Sequence, residues 1–480
     1  MKSFGERIPF SLPTRQSDVL WKGIILLGTF GVAAFLGLLV PLLGLDPGSA
    51  LAAFLAFSLI IGFFIVTYFA ARSRPWALLI FLGISVFLID ATFRRRELAE
   101  QGLDLQTTLK IVVWSAALLI AFVATSKFFA SMFRGDLKWL TMFSLLGLGS
   151  TVYSLTPAYT FGSGVAAISY CALAVCVAEH LTKRQILYSL LIGVSIILVL
   201  SLAVYVLGEG MTAPEAGSVM RLGGITGSPN GLGRTASLAI LVVGVLVFGH
   251  HLSFYSWRCL VPLGLALPCL VLSDSRTATI AVLAAFGLYF FRLRPLLGFI
   301  AATAGGVAVL LLFNLDIAWG DLGKSLARTG RVSEMTTLTG RTDVWYETWK
   351  AFLDQPLLGY GFAATRVLLP EVYRGYWGFT VGQAHNFILQ TAVTTGIVGL
   401  GFVLMLLVRQ AVAYITRIQL FSGSIFIYLL ITGITEAGPA GPAPNILYLF
   451  WALSLCWDRV RDDPLKIEIV DAPPRQRGFA

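Results

Sequence analysis

The sequence predicts an all-α polytopic membrane protein of about 12–14 transmembrane helices, with one long loop on the extracytoplasmic side that contains helices of its own. Three observations carry this. Of the 480 residues 57% are hydrophobic and only 12% charged, and mean hydropathy is +0.82, a composition no water-soluble core has. Apolar runs of about 18 residues or more, enough to cross a hydrocarbon layer of about 30 Å as helices, recur along the chain. They begin at Trp21 and end near Trp457.

In chain order, spans are expected near Trp21–Gly44, Ala50–Ala71, Ala77–Asp90, Thr108–Ser126, Trp139–Tyr159, Gly162–His180 and Ile186–Leu207. Further spans are expected near Thr235–His250, Cys259–Leu272, Arg276–Phe291, Leu296–Asn314, Asn386–Val408, Ser422–Glu436 and Ile446–Trp457. The first run is long and lacks a small-residue cleavage site, so it reads as a span and not as a secretory signal. The five cysteines, Cys171, Cys176, Cys259, Cys269 and Cys456, fall in or at the ends of apolar runs without zinc-like spacing, and are expected to be packing residues.

The net charge of +10 does not point to nucleic acid, because the Lys and Arg lie in short loops between spans, where membrane insertion places them. Lys2, Arg7, Arg15 and Lys22 precede the first span. Arg72 and Arg74, Lys127 to Lys138, Lys183 and Arg184, Arg258, Arg292 and Arg294, and Arg409 and Arg417 then occupy every second loop. Both termini are therefore expected in the cytoplasm.

Four places break the pattern with arginines on the expected outer side: Arg94 to Arg96, the loop Glu209–Arg234, the turn Ser273–Arg276, and the segment 315–384. Positive charge there opposes the topological bias, so another requirement is expected to hold it. In the long segment, Thr342–Trp349 reads as an amphipathic helix capped near Thr339 or Thr342 and stopped by Pro356; a helix lying at the interface with its Trp side toward lipid is one reading. Of four histidines, His180, His250 and His251 fall at cytoplasmic span ends, and only His385 faces outward. It is the outer group whose ordinary pKa suits proton transfer near neutrality. The outer acidic residues Asp316, Asp321, Glu334, Asp343, Glu347 and Glu371 form no paired Asp-x-Asp arrangement, so no metal site is expected. Glu436 reads as a solvated span end, with an auxiliary acid as the other possibility.

His385 and Asn386, nine residues, then Gly396-Ile-Val-Gly399 resembles the His-Asn, nine-residue gap, Gly-x-x-Gly motif of bacterial O-antigen ligases. Thr339, Gly340 and Arg341 with Trp345, Pro356 and the Gly359-Tyr-Gly361 turn resemble the rest of that family's shared region. Arg221 to Ile225, Gly227 to Asn230 and Ser273 to Ala278 resemble further family features, although Ile225 stands where the ligase pattern has Leu. The family also takes in O-antigen and exopolysaccharide polymerases, and the motif does not separate them.

The resemblance implies a fold like the GT-C-type lipid-carrier-dependent glycosyltransferases in the bacterial inner membrane. It also implies transfer of a glycan from undecaprenyl pyrophosphate to an acceptor hydroxyl on the periplasmic face, with inversion and without metal or other cofactor. The acceptor would be a lipid A core or a growing glycan, with membrane lipids as surroundings and no nucleic acid. On this reading residues 1–207 are N-terminal spans, 208–408 the catalytic region with periplasmic loop 315–384, and 409–480 C-terminal spans and a cytoplasmic tail.

A pyrophosphate leaving group calls for fixed positive charge, and arginine's planar fork donates paired hydrogen bonds to phosphate. Arg221 and Arg276 are the first candidates, with His385 as general base. Arg341, Arg234 and Asn230 are candidate pyrophosphate ligands. Arg276 would otherwise snorkel to headgroups or pair with Asp274, and Asn230 would otherwise cap the following helix. Glycines 223, 224 and 227 suggest backbone held close to a ligand. The competing class is a lipid-linked oligosaccharide flippase, which should carry mid-span charges and internal repeats; the charges here gather on one face.

Overall fold

The computed structural model describes residues 61–92, 105–212, 220–296, 341–373 and 381–462, apart from residues 250, 254, 294 and 418. The span expected at Trp21–Gly44, half of that at Ala50–Ala71, nearly all of that at Leu296–Asn314, and the triplet Arg94 to Arg96 lie outside the described residues. The chain divides into two units, Met1–Phe69 and Ala70–Ala480. Of the first, residues 61–69 are described and are helical.

The described residues of the second unit are mostly helical. Its longer described helices are α1 (Pro75–Asp90), α2 (Leu105–Ala124), α3 (Leu137–Gly149), α4 (Pro157–His180), α5 (Lys183–Val206), α6 (Pro229–Phe248), α7 (Trp257–Ser273) and α8 (Arg276–Leu293). There follow α9 (Arg341–Asp354), α10 (Thr365–Val372), α11 (Phe387–Thr416), α12 (Leu420–Thr435) and α13 (Ile446–Cys456). Among the described residues the only strands are β1 (Met211–Thr212) and β2 (Arg221–Leu222), paired antiparallel. Five of the described helices, α2, α4, α5, α6 and α11, are long and apolar enough to cross a membrane. The expected all-α polytopic architecture is the one observed.

Local chemistry explains the helix starts. Pro stands in the first turn of α1, α4 and α6, where its missing N–H costs nothing. Thr182 and Gln185 form a reciprocal capping box on α5, which satisfies two otherwise orphaned donors. The glycine-rich stretch ends earlier than expected: α6 begins at Pro229, so Asn230 and Arg234 belong to its first turns and not to the preceding loop.

Two helices depart from simple spans. α13, with 11 residues, rises only about 16 Å, yet Tyr448, Phe450 and Trp451 are fully buried, so protein and not lipid surrounds it. α11, with 30 residues, is broken at Gly396, whose φ of 63° and ψ of −166° interrupt the helix. The loop before α10 fills the gap: Tyr360 N donates to Val393 O (3.0 Å), Gly361 N to Thr394 O (2.9 Å), and Ile397 N to Pro356 O (2.8 Å). The Gly359-Tyr-Gly361 turn and the Gly396 motif are thus two halves of one backbone junction. α9 packs on the first half of α11 through Ala351 and Phe352, which bury against Leu368, Ala392 and Val393.

The two ends of the bundle differ in charge. At one end arginines tie the turns together: Arg409 to Asp136, Arg417 to Asp458 (3.2 Å), Arg292 to the carbonyls of Ile415 and Arg417, and Arg461 to Glu179 O (2.8 Å). His180 lies at this end, bonded to Ala124 O and Ser73. The C-termini of α1, α7 and α12 and the N-termini of α6, α8, α11 and α13 gather at the other end. This is the grouping the alternation of basic loops predicts. The five cysteines are free and buried, as expected of packing residues.

Candidate active site

The second end is organised around Glu436, just past the end of α12. Its Oε1 accepts from Arg341 Nη2 (3.0 Å) and from Asn230 Nδ2 (2.8 Å), and its Oε2 lies 3.6 Å from His385 Nδ1. A carboxylate at a helix C-terminus meets the unfavourable end of that helix's dipole; these partners offset it. Burial pushes the Glu436 carboxyl up, but the contact with His385 and the charges of His385, Arg341 and Arg234 outweigh burial and hold it below the ordinary carboxylate range.

The sign of that shift gives a stability prediction. A carboxylate with a depressed folded pKa contributes stability that is complete above its unfolded pKa and is lost as pH falls through the lower folded value. Glu436→Gln should therefore lower stability at neutral pH by roughly 1.5–3 kcal/mol, the worth of charge-assisted hydrogen bonds, and should flatten the acid limb. Thermal melting of both proteins across pH checks this, and parallel curves would refute it.

His385 precedes α11 with φ of 48°, in the left-handed region, where a non-glycine residue is costly and strain concentrates at functional sites. Three contacts hold it there. Trp345 Nε1 donates to His385 O (3.3 Å), the fully buried Gln390 accepts from Ala384 N (2.8 Å), and Asn386 caps α11 while donating to Ile434 O (3.2 Å). Gln390 is itself fixed by donating to Thr365 Oγ1 (2.9 Å). Trp345, which a lipid-facing stripe would have included, turns inward to this backbone; Tyr346 and Trp349 are the exposed aromatics of α9.

The arginines separate into different settings. Arg221 is 4% exposed; its Nε donates to Ser273 O (2.9 Å), and its Nη2 to Asn230 Oδ1 (3.0 Å) and Asp274 O (3.0 Å). It therefore ties β2 to the α7–α8 turn and reaches Glu436 through Asn230. Arg276 opens α8 with its side chain 47% exposed and only a loose 3.7 Å approach to Asp274. A bond between Thr277 and Thr435 hydroxyls (2.9 Å) sets the start of α8 beside the residue preceding Glu436. Arg234 pairs with the buried Asp90 (3.2 Å), which also accepts from Thr235 Oγ1 and Ile446 N.

Arg221, Asn230, Arg341, His385 and Glu436 thus form one connected group, Arg276 stands at its margin, and Arg234 acts on it only through its charge. Asn230 does not cap α6, because Ser228 does so by accepting from Gly231 N (3.0 Å). The glycines serve packing: a Cβ on Gly224 would stand 2.4 Å from Ser201, and one on Gly227 3.1 Å from Thr92. Their backbone is held close to α5 and to the end of α1.

Sequence reasoning preferred Glu436 as a solvated end and passed over Asp90, Gln390 and the inward role of Trp345. A carboxylate placed against a helix dipole, followed by the stiff stretch Gly438 to Pro444, was the available signal for Glu436. The N-termini of α6, α8, α11 and α13 add partial positive charge to this end. The arrangement presents cations, a basic imidazole and a fixed carboxylate at the rim of an apolar bundle, a setting suited to an anionic leaving group and a proton acceptor.

These features define a multi-pass membrane protein with a polar site at one end of its helices. Residues 261–404 match a family model described as O-antigen ligase. The chain is also 28% identical over 300 residues to the exopolysaccharide production protein ExoQ of Rhizobium meliloti (strain 1021), covering 58% of this chain and 66% of that protein, just under two thirds. Both findings support the O-antigen ligase and polymerase family read from the motifs. The family match takes in Arg276, Arg341, His385 and the Gly396–Gly399 pair, while Arg221, Asn230, Arg234 and Glu436 lie outside it.

Proposed function

We propose that the chain is a membrane glycosyltransferase of the O-antigen ligase or polymerase type. It moves a glycan from an undecaprenyl-pyrophosphate carrier to an acceptor hydroxyl, on a lipid A core or a growing glycan, at the periplasmic face of the bacterial inner membrane. Region 208–408, completed by Glu436, carries the chemistry, which inverts the anomeric centre and uses no metal. The observation that carries this reading is the convergence of Arg341, His385 and, through Asn230, Arg221 on the single carboxylate of Glu436.

In this mechanism His385 Nδ1 faces Glu436, which orients the ring and leaves Nε2 toward the acceptor. The acceptor hydroxyl gives its proton to Nε2 as its oxygen attacks the anomeric carbon. The bond to the pyrophosphate breaks from the opposite face, and its electron pair leaves on the phosphate oxygen. Arg276, exposed and without a tight partner, and the remaining donors of Arg341 stabilise that developing charge. Arg221 and Asn230 hold Glu436 and the α7–α8 turn in place, and Arg234 adds positive potential from behind.

The test is to incubate purified protein with carrier-linked glycan and acceptor, then measure free undecaprenyl pyrophosphate and acceptor mass. Release of the carrier with a matching gain in acceptor mass is expected. Movement of the intact lipid without release would identify a flippase and overturn the proposal.

A further inference from the structure

We propose that a groove between α5 and α7 binds one anionic phospholipid, with its phosphate at Arg184 and Arg258 and its acyl chains lying along the groove toward Leu200. The site is at the end of the bundle opposite His385, and the inference is independent of the transfer reaction.

The groove has a volume of about 570 Å³ and is lined by Tyr188, Ile192, Ile196 and Leu200 of α5 and by Val261 and Leu265 of α7, with Ser195 and Pro262 as its smaller members. Its size lies within the range of small-molecule sites, about 300–1,000 Å³. Its outward-facing residues are large and apolar: Ile192 is 58% exposed and Val261 53%. Such a surface along two helices of a bilayer protein is contacted by hydrocarbon chains and not by water.

Charge identifies the occupant. The guanidinium carbons of Arg184 and Arg258 lie 5.4 and 5.8 Å from the centre of the same Tyr188 ring, and that of Arg258 lies 5.6 Å from the Trp257 ring. Among the described residues neither arginine has a carboxylate within ion-pair distance. Two guanidinium groups beside one ring, neither neutralised by a carboxylate among the described residues, give an anionic headgroup two charges to meet. Basic pockets between membrane helices with an apolar slot beside them fit anionic lipid.

The experiment is native mass spectrometry of the full chain equilibrated with equal amounts of phosphatidylglycerol and phosphatidylcholine. A preference of roughly 30-fold for phosphatidylglycerol is expected, the effect of two arginines near an anionic headgroup. The double variant Arg184→Gln, Arg258→Gln should bring the two lipids to near-equal retention. Ser195→Phe, which fills the slot and leaves both charges, should reduce phosphatidylglycerol retention while transfer activity persists. Equal retention of the two lipids by the wild-type chain, an undiminished preference in the arginine double variant, or undiminished phosphatidylglycerol retention in Ser195→Phe overturns the proposal.

Discussion

Replacing His385 with alanine is expected to lower glycan transfer about 10²–10⁴-fold, the usual contribution of a positioned general base. The loss should fall on kcat, because the imidazole acts when the acceptor proton leaves and contributes little to holding the carrier. The left-handed backbone at this residue (φ 48°) makes alanine a doubtful probe by itself, since it strains the turn as well as removing the base. His385→Asn separates the effects: asparagine tolerates this backbone region but cannot accept the proton. The Asn variant should melt as the wild type does and still lose transfer to the same degree. Full transfer activity in His385→Asn would remove the base from the mechanism.

The second large effect is expected at Gly396, and it is one of stability. Its φ of 63° and ψ of −166° lie in a region open essentially to glycine alone, worth about 1–3 kcal/mol of strain for other residues. A Cβ there would also stand 2.1 Å from Leu357 O and 2.5 Å from Leu358 N, backbone atoms that move only if the 356–361 junction opens. Gly396→Ala should therefore lower stability by roughly 3 kcal/mol or more and abolish transfer, because the displaced junction supports the half-helix that begins just after His385. Gly401→Ala, five residues along the same helix and with nothing within 4 Å of its Cβ, is the control and should be neutral or slightly stabilising. Equal melting temperatures for the two alanine variants would refute the role assigned to the junction.

The helices were legible because each is written in local chemistry. Long apolar runs, proline in the first turn and a capping box are statements about a few adjacent residues and the medium around them, and they fixed most spans to within a few residues. His385 and the outward arginines were legible for a related reason. Alternating basic loops set which span ends share a face, and residues that break the alternation stand out.

Glu436 was not legible, because its meaning lies in Asn230, Arg341 and His385, which the chain brings from 206, 95 and 51 positions away. Asp90 was hidden in the same way, as its partners Arg234, Thr235 and Ile446 belong to other helices. The Gly359-Tyr-Gly361 turn was visible and Gly396 lay inside an expected span, yet nothing local says that the turn repairs the backbone hydrogen bonds that Gly396 breaks.

By itself the amino-acid order determined that this protein lives in lipid, where its helices run, and which of their ends carry unusual cations, since hydrophobic run length and loop charge act residue by residue. Only the tertiary structure decided which cations are engaged inside the protein and which stay open. Hydrogen-bond geometry is short in reach, and its partners are chosen by how helices pack, not by their order along the chain.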